Sequence, residues 1–146
     1  MQNKLILGLL MILIGLASCK EEDIITPEEQ YELDLAEIEA YLTENNIDAL
    51  QDSISGLYYI LHDAGAGDQP QLSDKINVTY EGRYFDTKDV FDKGDSVLFR
   101  LNTLIIGWQI LIPKMKESGS MTMYLPRGVA YGNYILEFDV TLNDVL

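Results

Sequence analysis

Val78-Thr79-Tyr80-Glu81-Gly82, Phe91-Asp92, Phe99, Leu104-Ile105-Ile106-Gly107-Trp108, Tyr124-Leu125-Pro126, Ala130-Tyr131-Gly132 and Phe138-Asp139-Val140 follow one another between Ile76 and Leu142 and carry most of the information in this chain. Around them, Lys75 to Tyr84, Val97 to Leu101, Met121 to Leu125 and Leu136 to Leu142 alternate in polarity, the period-two pattern of half-buried strands. A short helix is predicted from about Gly107-Trp108 to Pro113. Strands, then one helix, then strands again predict an α+β fold in which an antiparallel sheet wraps around that helix.

Upstream, Ser55-Gly56-Leu57-Tyr58-Tyr59-Ile60-Leu61 reads as a further strand, rich in aromatic and branched residues, and Gly65-Ala66-Gly67-Asp68-Gln69-Pro70 reads as a loop. No helix carrying Lys-Ser or Lys-Thr follows those glycines, so they are turn residues and not a phosphate cradle. Thr26-Pro27-Glu28-Glu29 joins a capping hydroxyl, a proline at the first helical position and a glutamate three residues past the cap, which starts a helix. Its apolar residues Tyr31, Leu35, Ile38 and Leu42 recur at threes and fours, and Asn45-Asn46 stops it. That stripe either packs on the domain or another subunit, or the helix is a semi-rigid spacer.

In order and spacing the motifs between Ile76 and Leu142 resemble the FK506-binding-protein (FKBP) family of peptidyl-prolyl cis/trans isomerases, a likeness that covers about half the chain. The resemblance implies an FKBP-like half-barrel sheet around one short helix, with residues 55–146 as the isomerase domain. It also implies a proline pocket floored by Trp108, whose flat apolar face needs no charge partner, and walled by Tyr80, Phe91, Phe99 and Phe138. By the same resemblance Ile105 offers its backbone amide and Tyr131 its hydroxyl to a substrate carbonyl, while Asp92 sits at the pocket edge against Tyr80. Tyr80, Asp92, Ile105 and Tyr131 are thus the expected catalytic set, and Phe91, Phe99, Trp108 and Phe138 the expected substrate-binding set.

The reaction needs no nucleophile, metal or cofactor. Rotation about an amide meets a barrier of about 18–20 kcal/mol, and a prolyl bond left alone isomerises over tens of seconds or longer. A site accelerates it by fitting the twisted amide better than either planar form, and by excluding the water that favours the planar, charge-separated resonance form. Proline-containing polypeptides are the implied partners.

Three departures from the family pattern bear on activity. Only Asn133 and Tyr134 separate Gly132 from Ile135-Leu136-Glu137-Phe138, where the family carries a loop of about a dozen residues that overhangs the pocket, so weaker exclusion of water and reduced activity are expected. Gly82 to Phe91 is one residue longer than usual, and Phe85-Asp86 offers a rival to Phe91-Asp92; the latter suits the distances to Gly82 and Phe99 better. Ser118-Gly119 replaces a tighter turn. Among other constellations, Asp86, Asp89, Asp92 and Asp95 recur at threes, unlike a calcium loop, and read as a solvated acidic turn. His62 is the only histidine, which leaves no transition-metal set, and no serine or cysteine has a base beside it. Asn77-Val78-Thr79 fits a glycosylation sequon within a predicted strand.

Residues 1–18 hold one charged side chain, Lys4, ahead of the apolar run Leu5 to Ile14, which is short for a bilayer span and matches a secretory signal. Leu16-Ala17-Ser18-Cys19 resembles a bacterial lipobox, making Cys19, the only cysteine, the expected lipidation site and residues 19–25 a lipidated tether. Acyl chains contribute about 0.8 kcal/mol per buried methylene, so more than one chain anchors stably. Lys20-Glu21-Glu22-Asp23 resembles a surface-display signal of some Gram-negative lipoproteins, or is a solvated linker. Residues 26–50 complete the layout as the N-terminal helix and its linker.

Without residues 1–18, nine basic side chains face twenty-four acidic ones, a net charge of about −15 that gives phosphate no basic patch and excludes nucleic acid as a partner. The expected protein is a lipid-anchored isomerase of the cell envelope, at the outer membrane and surface-exposed if the Lys20 signal operates, assisting the folding of exported proteins. A non-catalytic polypeptide-binding or chaperone module, or a structural lipoprotein using the fold as a scaffold, are the competing readings. Oligomeric state is left open.

Overall fold

The computed structural model describes residues 24–146, as two helices and six strands joined by short 3-10 turns. The expected signal segment 1–18, Cys19 and the Lys20–Asp23 run lie outside the described residues. Helix α1 is Pro27–Glu44, and strands β1 (Leu50–Gln51), β2 (Tyr58–Asp63), β3 (Lys75–Tyr84) and β4 (Val90–Arg100) follow. Helix α2 (Ile106–Leu111) leads into β5 (Ser120–Leu125) and β6 (Leu136–Val145). The strands form one antiparallel sheet in the order β1-β2-β5-β6-β3-β4.

Successive side chains of a strand point to opposite faces, and both faces of this sheet are used. Met121, Met123 and Leu125 of β5 join Phe138, Val140 and Leu142 of β6 against Trp108, Leu111 and Ile112, all buried in one cluster. Tyr124 points the other way. With Tyr58, Phe85 and Ile135 it meets Ile38 and Leu42 of α1 in a second cluster. The sheet therefore lies between α2 on its concave face and α1 on its back.

That placement decides between the two readings of α1: it packs on the domain. Its first turn is held by the expected capping box, with Thr26 Oγ1 accepting from Glu29 N–H at 3.2 Å and Glu29 Oε2 accepting from Thr26 N–H at 2.8 Å. Ile38 and Leu42 are buried as the stripe requires, while Asp34, a carboxylate on the same stripe, is fully buried as well.

Strand β4 differs most from expectation. It begins at Val90 and not at Val97, so Asp92 and Asp95 belong to a strand, and only Asp86 and Asp89 lie in the turn before it. The pattern was broken by two register shifts against β3, one between Val78 and Tyr80 and one between Gly82 and Arg83. At the first, Ser96 adopts φ 54°, with its N–H donating to Thr79 Oγ1 at 3.2 Å, while the Thr79 hydroxyl donates to Asp95 Oδ1 at 3.1 Å. A bulge bends its strand and disrupts the two-residue period on which sequence reading relies. The two-residue strand β1 was not foreseen either; it is too short to show a period.

The loop carrying Asp52 is fixed by charge. Its carboxylate meets Lys114 Nζ at 2.5 Å and accepts from Ser55 N–H at 2.8 Å and Ser55 Oγ at 2.6 Å. Lys114, first, and then Ser55 hold the Asp52 carboxyl well below the usual carboxylate range. A depressed folded-state pKa gives stability that is present above the unfolded value of about 4 and is lost as pH falls below it. Urea melts at pH 7 and pH 3 should therefore show a smaller acid loss for Asp52→Asn than for the wild type; an unchanged difference would reject this linkage.

Candidate functional site

The concave face is shaped by glycines where rings must come close. A Cβ on Gly107 would lie 2.7 Å from Leu125 Cδ1, so this residue lets α2 settle directly onto β5 and brings Trp108 over the sheet. On Gly82 it would meet Phe138 Cε1 at 2.6 Å and Phe91 Cζ at 2.8 Å, and on Gly94 it would meet Tyr80 Cε1 at 2.6 Å. Gly82 pairs with Phe138 across β6, and Gly94 pairs with Tyr80 across β3, so each leaves room for an aromatic ring.

Trp108 is buried, with the Tyr80 and Phe138 ring centroids each 5.3 Å away and Phe99 at 6.3 Å, all nearly perpendicular to the indole. These edge-to-face contacts match the positive rim of each ring to a negative π-face. Above them opens a cavity of about 150 Å³, several times the ~30 Å³ occupied by a water molecule. Trp108, Tyr80, Phe99 and Phe138 line its depth, and Asp92, Ile105 and Tyr131 line it with Leu104. The indole N–H is buried without a hydrogen-bond partner among the described residues.

Seven of the eight residues singled out in the sequence thus border one cavity. Phe91 differs: the second bulge in β4 leaves it unpaired between Val90 and Asp92, and it lines a neighbouring cavity of about 170 Å³ with Tyr84, Tyr134 and Leu136. Its ring stands edge-on behind Phe138 at 5.6 Å and Tyr131 at 6.3 Å, so it backs the wall instead of forming it. Of the rival pairs, Phe91-Asp92 reaches the site, whereas Phe85 is buried on the opposite face against Tyr41 and Tyr124. Leu104 was missed, since one leucine among many carries no signal of its own.

The polar groups lie toward the mouth. The Tyr80 hydroxyl donates to Asp92 Oδ2 at 2.9 Å. Burial, and then that hydrogen bond, push the Tyr80 phenol up to about 12. Burial, followed by the Asp92 charge, also raises the Tyr131 phenol. Both hydroxyls are therefore neutral donors at physiological pH. Ile105 caps α2, its carbonyl accepting from Trp108 N–H at 3.0 Å, and among the described residues its own N–H has no partner. The arrangement offers a carbonyl two donors, a backbone amide and a phenol, beside an aromatic hollow.

A larger depression, about 920 Å³, lies on the other face of the sheet and includes Thr79, Glu81, Thr122, Asp139 and Thr141. His62 is there, 2.8 Å from Thr122 Oγ1, whose hydroxyl donates to Asp139. Of its polar groups, Asp139 is held by Thr122 and by Arg83, and Asp95 accepts from Thr79. Among the described residues no group of three or more His, Cys, Asp or Glu is placed to hold a metal ion.

Residues 67–143, more than half of the chain, match the sequence model of the FKBP-type peptidyl-prolyl cis-trans isomerases. The chain belongs to that family. The matched FKBP segment begins in the loop before β3, contains the whole cavity and ends within β6. A Coxiella burnetii protein named peptidyl-prolyl cis-trans isomerase Mip is 37% identical over 64% of this chain and 42% of its own length. A Legionella longbeachae protein named outer membrane protein MIP is 34% identical over 53% of this chain and 35% of its own length. The crystal structure of FkpA from Escherichia coli superposes with a TM-score of 0.65 and 32% identity, covering 81% of this chain and 63% of that one. The chain spans about two fifths of the length of the curated FKBP relatives it matches, 43% of one and 39% of another.

Proposed function

We propose that the chain is a peptidyl-prolyl cis/trans isomerase that takes proline-containing polypeptides into the Trp108 cavity. The observation that supports this most is the cavity itself: four aromatic rings enclose a hollow, with the Ile105 amide and the Tyr131 hydroxyl beside it as donors. A proline ring on the indole anchors the substrate, and hydrogen bonds to a neighbouring carbonyl hold one end of the chain. The prolyl amide then turns in an environment that disfavours its planar, charge-separated form. Asp92 holds the Tyr80 hydroxyl, fixing the wall at the pocket edge.

A second reading is favoured by one observation: Tyr131 is 62% exposed, and the chain returns to the sheet within three residues of Gly132, so little covers the cavity. An open hollow of this kind also suits a chaperone that holds extended polypeptide without turning the bond. NMR exchange on a short Xaa-Pro peptide separates the two. Accelerated exchange, reduced by Asp92→Ala and independent of pH between 6 and 9 because both phenols titrate higher, supports the enzyme; rates unchanged by the domain reject it.

We place this activity in the cell envelope, on a lipid anchor at Cys19, following the apolar run and lipobox resemblance of residues 5–19. A Cys19→Ser variant expressed in a bacterium should lose both palmitate labelling and sedimentation with membranes; retention of the label would refute the anchor. Proline-bearing segments of exported proteins are the substrates this location supplies.

A further inference from the structure

Helix α1 lies outside the residues that match the family, yet it is bonded to the segment that presents Tyr131. Asp34, fully buried, accepts a hydrogen bond from the Arg127 backbone N–H at 2.9 Å and lies 3.1 Å from Arg127 Nε. Gln30 Nε2 donates to its other oxygen at 2.8 Å, and the neighbouring Tyr31 hydroxyl donates to the Ser55 carbonyl, also at 2.8 Å. The other end of residue Arg127 continues the chain of bonds: its carbonyl accepts from Ala130 N–H at 3.3 Å and Gly132 N–H at 2.9 Å. Tyr131 sits between those two amides.

We infer that Asp34 is a positioning residue for the isomerase site, acting through Arg127 to fix the Tyr131 backbone. The inference rests on the isomerase reading for its effect on rate, and on geometry alone for its effect on Tyr131. With few residues between Gly132 and β6 to brace Tyr131 from the solvent side, the tie from behind is what sets the direction of the hydroxyl. A carboxylate taken out of water is costly unless hydrogen bonds and a counter-charge compensate it, and Asp34 has two donors, Gln30 and the Arg127 N–H, with the Arg127 guanidinium 3.1 Å away as the counter-charge.

The test measures kcat/KM on an Xaa-Pro peptide together with the ring resonances of Tyr131 in the free domain. Asp34→Ala is expected to lower kcat/KM about five- to tenfold, the scale that loss of alignment produces, and to shift or broaden the Tyr131 signals. Asp34→Asn, which keeps an oxygen for the Arg127 N–H, should recover most of both. In a Tyr131→Phe background the further loss caused by Asp34→Ala should shrink, since the hydroxyl it positions is gone. Ile38→Val disturbs α1 elsewhere and should leave rate and signals unchanged. A folded Asp34→Ala domain with wild-type rate and Tyr131 signals would overturn the inference, as would an equal loss in Ile38→Val. A wild type without isomerase activity would instead remove the functional reading, and the Tyr131 resonances would then decide the positioning alone.

Discussion

Trp108→Ala is expected to reduce the proposed isomerase activity to less than a tenth, a loss of at least ~1.4 kcal/mol of transition-state stabilisation, and to destabilise the fold by about 3–5 kcal/mol. Both losses have the same origin. The indole is the base of the cavity and also the surface on which Tyr80, Phe99 and Phe138 stand edge-on, so its removal takes away the floor and unsupports the walls. Trp108→Phe should be milder in stability, roughly half as costly, because a flat ring remains and the unpartnered buried indole N–H, a penalty of about 1–3 kcal/mol, disappears with it. Urea melts and NMR exchange on one set of samples check both. Retained activity in a well-folded Trp108→Ala domain would sink the pocket assignment.

Gly82→Ala should do comparable harm by adding a single methyl group. The new carbon would sit 2.6 Å from Phe138 and 2.8 Å from Phe91, closer than carbon atoms pack, and the space open to each ring is a cavity it borders. Phe138 is pinned 5.3 Å from Trp108, and Phe91 stands edge-on between Phe138 and Tyr131. Overpacking of this kind costs about 1–3 kcal/mol, and here the displaced ring moves into the cavity. The expected outcome is a destabilised domain that no longer responds to a prolyl peptide. Trp108 is the only tryptophan, so its fluorescence during a peptide titration reports this directly. Wild-type affinity in the variant would show that the rings can yield without closing the hollow.

The same glycine illustrates how much of the site was legible beforehand. Gly82 was visible as part of a motif, but nothing in the string of letters says that two phenylalanines, nine and fifty-six positions away, converge above it. The aromatic set was legible only through the resemblance of these motifs to the FKBP family, and Trp108, Phe99, Phe138 and Tyr80 do share one cavity. Phe91 was expected as a wall of the cavity, but its side of the strand was not legible and it stands behind that wall. A bulge shifts every later residue by one position, and with a period of two a shift of one exchanges the faces. Val90 to Val97 escaped detection as a strand for the same reason.

Helix α1 shows the complementary limit. Its start was fully determined locally, since the bonds of a capping box join residues only three apart. Its partner was not. That Ile38 and Leu42 would meet Tyr58 and Tyr124, and that Asp34 would be buried against Arg127, depend on contacts spanning from 16 to 93 positions.

Residue order by itself determined the elements with an unbroken period and the start of α1, because periodicity and capping are short-range properties of the chain, while the resemblance of its motifs to the FKBP family implied the fold and the aromatic hollow. Only the folded arrangement decided which face each bulged residue of β4 presents, which glycines admit which rings, and that α1 is tied to the Tyr131 segment. These follow from packing between distant segments, where a shift of one residue or the bulk of one methyl group changes the outcome.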